Sequence, residues 1–174
     1  MNRKKFLVIV DPWIVPPPED AIKFPMLASD SKIQYQLIYN QLSRLKPLFD
    51  DIIVDDTGYT SHSIFEELPR VDNVLEGYLE DKQDWDMWLC GFHYGRCIHG
   101  KIRGVVENFE WDYSRFHIIQ NLSFMLPGDQ IVNTLGPGEM SLAPADWQQN
   151  IEIFKNVKEY QWDYIGKFIE LNEK

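Results

Sequence analysis

Four short apolar runs follow one another along the chain, at residues 6–10, 51–54, 87–90 and 116–119. Runs of this length, in which Asp51 and His117 are the only polar residues, predict strands buried on both faces, as in a parallel sheet. Between them, apolar positions recur at helical spacing. The clearest stripe predicts a helix over residues 31–46, with Ile33, Leu37, Ile38, Leu42 and Leu45 on its buried side. Strands that alternate with helices predict an α/β fold, a three-layer sandwich with a mostly parallel sheet.

The remaining pattern predicts shorter helices over residues 64–68 and 72–80, a helix following Cys97, and a short extra strand at 130–132. Apolar and aromatic residues at helical spacing predict a long last helix over residues 145–171. This helix packs on the sheet or forms a partner interface, and the sequence leaves both open. No repeat or domain boundary interrupts the chain, so we expect residues 1–174 to form a single α/β domain with a long C-terminal helix.

Composition and charge exclude several classes of protein. The net charge of −10 over 174 residues argues against a general nucleic-acid binder and against a polybasic membrane surface. No window approaches the roughly 20 apolar residues of a membrane span. Two cysteines make no disulfide framework, and the apolar run near the start is too short for a signal peptide. We therefore expect a cytoplasmic protein.

Polar and reactive residues stand where the predicted strands end. Asp11 follows the first strand, and Asp55 and Asp56 follow the second. The third strand leads through a turn at Gly91 into a helix that starts near Cys97. Ligands in open α/β sheets bind at the carboxyl ends of strands, and a helix N-terminus favours a thiolate. Asp11 is thus a candidate proton carrier or a plain turn former, and Cys97 is a candidate nucleophile.

Other motifs add little chemistry. No glycine-rich phosphate loop, nucleophile elbow or standard zinc spacing occurs, so we expect neither a cofactor nor a metal. Residues 13–27, with Trp13 beside Asp11 and three consecutive prolines, predict an extended loop. It is either a lid carrying Trp13 over the site or a plain surface loop.

Residues 91–98, Gly-Phe-His-Tyr-Gly-Arg-Cys-Ile, resemble the Gly-Val-x-Thr-x-x-Cys-Val signature of isochorismatase-like cysteine hydrolases. Val-Ile-Val-Asp at 8–11 resembles the family's first strand with its catalytic aspartate, and residues 116–124 resemble the strand and polar turn after the cysteine helix. The resemblance implies a Rossmann-like α/β fold. It also implies hydrolysis of amide, amidine or vinyl-ether-type bonds in small molecules by Asp, Lys and Cys.

The sequence departs from the family pattern at the residues that are expected to lie near the cysteine. No lysine lies between Lys46 and Lys82, where the family's lysine is expected, so His62 is a candidate stand-in, and His93 is instead a candidate partner of Cys97. Tyr94 replaces the small threonine of the signature and would crowd a pocket. The predicted substrate-binding residues are Trp13, Tyr94, Arg96 and Asn121. The backbone N–H groups of Arg96 and Cys97 are expected to stabilise an oxyanion.

Two functions follow from these observations. The first is a divergent isochorismatase-like hydrolase that acts on a small amide-like or related substrate through Cys97, with Asp11 as acid and base. The alternative is a catalytically inactive binding or assembly protein on the same fold. The alternative predicts a filled pocket and a homo-oligomer.

Overall fold

The computed structural model describes residues 3–12, 27–56, 65–72, 75–92, 94–124 and 151–171, and the statements below refer to these. The strands are β1 (Lys5–Val10), β2 (Asp51–Asp56), β3 (Arg70–Asp72), β4 (Asp86–Phe92), β5 (Phe116–Phe124), β6 (Lys158–Trp162) and β7 (Phe168–Glu170). The helices are α1 (Leu27–Leu45), α2 (Leu75–Leu79), α3 (Cys97–Phe109) and α4 (Ile151–Asn156), with short 3₁₀ turns at Lys46–Leu48 and Tyr113–Arg115.

One sheet contains all seven described strands in the order β3-β2-β1-β4-β5-β6-β7. Every neighbouring pair is parallel except β6 and β7, which are antiparallel. From β1, the chain adds β2 and β3 on one side of the sheet. It then returns to the other side of β1, where it adds β4 to β7. The predicted mostly parallel α/β sheet is therefore confirmed, and β1 and β4 flank the point where the strand order reverses.

The two faces of the sheet are covered by different helices, which makes three layers. On one face, Tyr35, Ile38, Leu42 and Leu45 of α1 pack with Leu7, Ile9 and Trp88 of the strands. On the other face, Ile98, Ile102 and Val105 of α3 pack with Phe6, Val8 and Leu89. Burial on both faces is why β1 is apolar at every position from Phe6 to Val10, all of which have no exposed surface.

The predicted long last helix is wrong. After α4 ends at Asn156, the chain forms β6 and turns back into β7. The Asp163 carboxylate stops any helix because its Oδ1 accepts the N–H groups of Ile165, Gly166 and Lys167 at 2.8, 2.8 and 2.9 Å. Tyr164 and Gly166 adopt positive φ values of 62° and 142° in the same turn. The apolar residues assigned to a helical stripe instead belong partly to strands.

The region before β4 also differs from the prediction. Residues 70–72, partly assigned to a helix, form the edge strand β3, and the following helix α2 covers only Leu75–Leu79. Residues 65–68 make a turn in which the N–H of Leu68 donates to the carbonyl of Phe65 at 3.0 Å. The predicted strand at 130–132 lies outside the described residues. No helix in the described ranges is long and apolar enough to cross a membrane.

Candidate active site at the carboxyl ends of β1 and β4

Gly91 lets β1 and β4 approach closely at their carboxyl ends. Its φ is 104°, and a Cβ built on it would lie 2.5 Å from the carbonyl oxygen and 2.9 Å from the nitrogen of Val10. Both the backbone conformation and the contact require glycine here. The register between β4 and β5 shifts between Leu89 and Gly91. β4 therefore stays tightly paired with β1 while its pairing with β5 becomes irregular at this edge.

Asp11 is fixed at the end of β1 by its backbone. Its N–H donates to the carbonyl of Asp55 at 2.8 Å, and its carbonyl accepts the Tyr35 hydroxyl at 2.7 Å. Its φ of 47° lies in the left-handed region, which aspartate tolerates better than most residues. The residue has no exposed surface. Asp11 thus lies at the end of the strand as predicted. The residue is buried, and hydrogen bonds hold its backbone in place.

Cys97 is the first residue of α3, as the sequence predicts. The preceding Arg96 occupies the N-cap position with φ −122° and ψ −91° and gives no side-chain cap. Cys97 is partly buried, whereas Cys90 in β4 is fully buried. A thiol in the first turn of a 13-residue helix lies beside backbone N–H groups that no helical carbonyl accepts. These groups and the helix dipole favour the thiolate.

The pKa of the Tyr35 hydroxyl on α1 depends on both Asp11 and Cys97. Burial raises the pKa of its hydroxyl well above the usual value, and the charges of Asp11, Cys97 and Cys90 raise the pKa further. The hydroxyl therefore stays protonated and keeps its hydrogen bond to the Asp11 carbonyl. Asp11 and Cys97 therefore each lie within electrostatic range of this hydroxyl.

An ion pair between Lys101 and Asp55 was not predicted. Lys101 Nζ lies 2.9 Å from Oδ2 and 3.1 Å from Oδ1 of Asp55. The Asp55 side chain has no exposed surface, and that of Lys101 is 15% exposed. The strand-end position of Asp55 and the spacing of four between Cys97 and Lys101 are visible in the sequence, but neither shows that Asp55 and Lys101 pair.

Tyr94 and Asn121 have partners inside the fold. The Tyr94 hydroxyl forms a short hydrogen bond with the buried Glu159, and its ring packs edge-on against His99 at a centroid distance of 4.9 Å. Asn121 Nδ2 donates to the carbonyl of Trp162 and its Oδ1 accepts the N–H of Trp162, both at 2.8 Å. Asn121 thereby extends the pairing of β5 with β6. A substrate-binding role for either residue stays a prediction.

The other predicted site residues are placed as follows. Arg96 is half-buried beside Cys97. Trp13, His62 and His93 lie outside the described residues. Over the part of the chain that the structure describes, no group of three or more His, Cys, Asp or Glu side chains could hold a metal ion.

No protein-family model matches the chain, and no curated protein sequence matches it significantly. The fold and the site therefore define the class of protein by geometry alone. The chain is a doubly wound α/β protein that places a carboxylate and a helix-terminal thiol at the point where the strand order reverses. Such points hold the ligand sites of open α/β sheets.

Proposed function

We propose that the protein is a divergent isochorismatase-like cysteine hydrolase that acts on a small amide-like or related substrate. The observation that supports the proposal is the position of Asp11 directly after β1 and of Cys97 at the start of the helix that follows the adjacent strand β4. The two residues are 86 positions apart in the sequence, and each stands where the family resemblance requires it.

The proposed reaction has two steps. The Cys97 thiolate attacks the substrate carbonyl carbon, and the oxyanion accepts hydrogen bonds from the backbone N–H groups at the start of α3. Asp11, protonated at this stage, gives its proton to the leaving amine as the C–N bond breaks. Asp11 then removes a proton from water, which attacks the acyl-cysteine, and Cys97 leaves as thiolate. One water is consumed, and the amine and the carboxylic acid are released.

A panel of small primary amides, amidines and vinyl ethers, incubated with the full chain, tests this proposal. Intact-mass analysis under rapid acid quench should show an adduct on Cys97 for the substrate that is turned over. Cys97→Ala should abolish both adduct and turnover, and Asp11→Asn should lower turnover by about 10²-fold or more. Cys90→Ala is the matched control and should keep the activity. Turnover that survives in Cys97→Ala would contradict the proposal.

A second candidate function is a catalytically inactive binding or assembly protein on the same fold. It is favoured by the internal partners of Tyr94 and Asn121, since both side chains were expected to contact a substrate. This alternative predicts an oligomer in sedimentation experiments and no turnover of any member of the panel. A monomeric protein that turns over a member of the panel would exclude this alternative.

A further inference from the structure

We propose that Lys101, held in place by Asp55, supplies the positive charge that stabilises the thiolate of Cys97. The inference rests on the proposed function, because it assigns an electrostatic role within the same site. It makes Asp55 a positioning residue, which acts through the lysine.

The carboxylate of this ion pair is more buried than the carboxylates that pair with Arg3, Lys82 and Lys158. Asp55 has no exposed side-chain surface, whereas Asp86, Asp81 and Glu170 are 24%, 81% and 50% exposed in their pairs with Arg3, Lys82 and Lys158. Contact with both carboxylate oxygens, at 2.9 and 3.1 Å, fixes the ammonium at one place. A buried carboxylate requires such a partner, since an isolated buried charge is strongly disfavoured.

The position of Lys101 on α3 and its pairing with Asp55 bring it to the part of the fold that carries the proposed catalytic residues. Lys101 follows Cys97 by four positions on α3, so the two side chains lie on one face of the helix with their Cβ atoms about 6 Å apart. Long side chains in helices point back toward the N-terminus, which is where Cys97 lies. At its other end, the ion pair adjoins Asp11, whose N–H donates to the carbonyl of Asp55 at 2.8 Å.

The charge balance explains why a cation is needed. A thiolate near the buried Asp55 carboxylate would be disfavoured by like-charge repulsion, whereas Asp11 carries its proton at the stage at which the thiolate attacks. Lys101 offsets the charge of Asp55 and presents an ammonium one helical turn from Cys97. The first-turn N–H groups of α3 then act on the thiolate without opposition from the Asp55 charge.

The pH dependence of Cys97 alkylation by iodoacetamide, followed by peptide mass spectrometry on the full chain, tests the inference. Lys101→Met should raise the apparent pKa of Cys97 by at least about one unit, and Lys101→Arg should stay close to the wild type. Because Lys101→Met leaves a buried carboxylate behind, the double variant Asp55→Asn/Lys101→Met is needed as well. It removes both charges, and in a stably folded protein it should raise the Cys97 pKa by less than Lys101→Met does, because the repulsion from Asp55 is lost together with the attraction from Lys101. Arg103→Met, which removes a positive charge from another side of α3, is the matched control and should leave the profile unchanged.

The outcomes separate the two proposals. A folded double variant and a Lys101→Met variant that both keep the wild-type Cys97 profile would overturn the role of Lys101 and leave the cysteine hydrolase standing. A wild-type Cys97 that resists alkylation at every pH at which the protein is folded would contradict the proposed function itself, and the inference would fall with it.

Discussion

The two ends of the parallel strands both collect ionisable side chains, but they use them differently. At the carboxyl edge, Asp11 follows β1, Asp55 lies near the end of β2, and the helix that begins at Cys97 contributes Lys101, which pairs with Asp55. At the amino edge the strands begin with Lys5 of β1, Asp86 of β4 and Lys158 of β6, and His117 is the second residue of β5. Titratable clusters thus occur at both edges, and their presence alone does not identify a site.

Aromatic packing fills the amino edge. The His117 ring stacks on Trp88 at 4.6 Å with an interplanar angle of 24°. Lys5 Nζ lies 5.3 Å from the ring centroids of both Trp88 and Phe49. Charged groups here cover the faces of core aromatic rings, so they stabilise the fold.

The carboxyl edge instead assembles groups that can react. A sulfur stands at the start of α3, and an ammonium one helical turn later pairs with the buried Asp55 carboxylate. The proposed reaction therefore takes place where strands end and helices begin. Ligands of open α/β sheets bind at this edge, and helix dipoles there favour negative charge.

The largest contrast between the edges concerns their ion pairs. Lys101→Met should destabilise the protein by about 3–5 kcal/mol, because it leaves the buried Asp55 carboxylate unpaired. Lys158→Met, which breaks the half-exposed pair with Glu170 at the amino edge, should cost less than about 1 kcal/mol. Urea denaturation at pH 7 measures both. Equal losses would contradict the distinction drawn between the two edges.

The amino edge should make the protein sensitive to acid. Burial lowers the pKa of His117 to about 4, with Lys158 and Lys5 acting in the same direction and Asp86 opposing them. Between pH 6.5 and 4 the unfolded chain therefore binds more protons than the native chain, and stability falls as the pH falls. The loss from this group reaches about 3 kcal/mol near pH 4.

His117→Phe keeps a flat ring on Trp88 and removes the titration. The variant should lose less stability than the wild type over that pH range, as measured by urea midpoints at each pH. The same pH dependence in both proteins would show that His117 is not the responsible group.

The close approach of β1 and β4 gives a smaller effect at the carboxyl edge. Gly91→Ala should destabilise by about 2–3 kcal/mol, because the new Cβ meets Val10 and the positive φ is strained. Gly100→Ala is the matched control, since no atom lies within 4 Å of its Cβ position on α3. It should stabilise by up to about 1 kcal/mol. Thermal unfolding of the two variants compares them, and an unaffected Gly91→Ala would refute the close contact.

Local patterns predicted the centre of the fold better than its margins. The continuous apolar runs of β1, β2, β4 and β5 are visible because both faces of these strands are buried. The C-terminal part was mistaken for a helix because its apolar spacing fits either structure until the Asp163 turn is recognised. The strand β3 has only three residues, too few for a periodic signal.

In the candidate site, too, some residues could be predicted from the sequence and others could not. Asp11 and Cys97 could be predicted because each stands next to a strand or helix boundary. The pairing of Lys101 with Asp55 spans 46 positions and depends on β2 lying beside β1 on the side that α3 covers. Strand order is a property of the whole fold, so the sequence around either residue carries no sign of that contact.

The two cysteines provide the most direct test of the central claim, that the reactive centre lies at the carboxyl ends of β1 and β4. Native wild-type protein is treated with iodoacetamide across a range of pH, and the modification of each cysteine is followed separately. Cys97 should react with an apparent pKa below the ordinary value of about 8.5. Cys90, whose pKa burial raises, should react only when the chain unfolds. A Cys97 that is as protected as Cys90, or one that titrates at or above the ordinary value, would contradict the account.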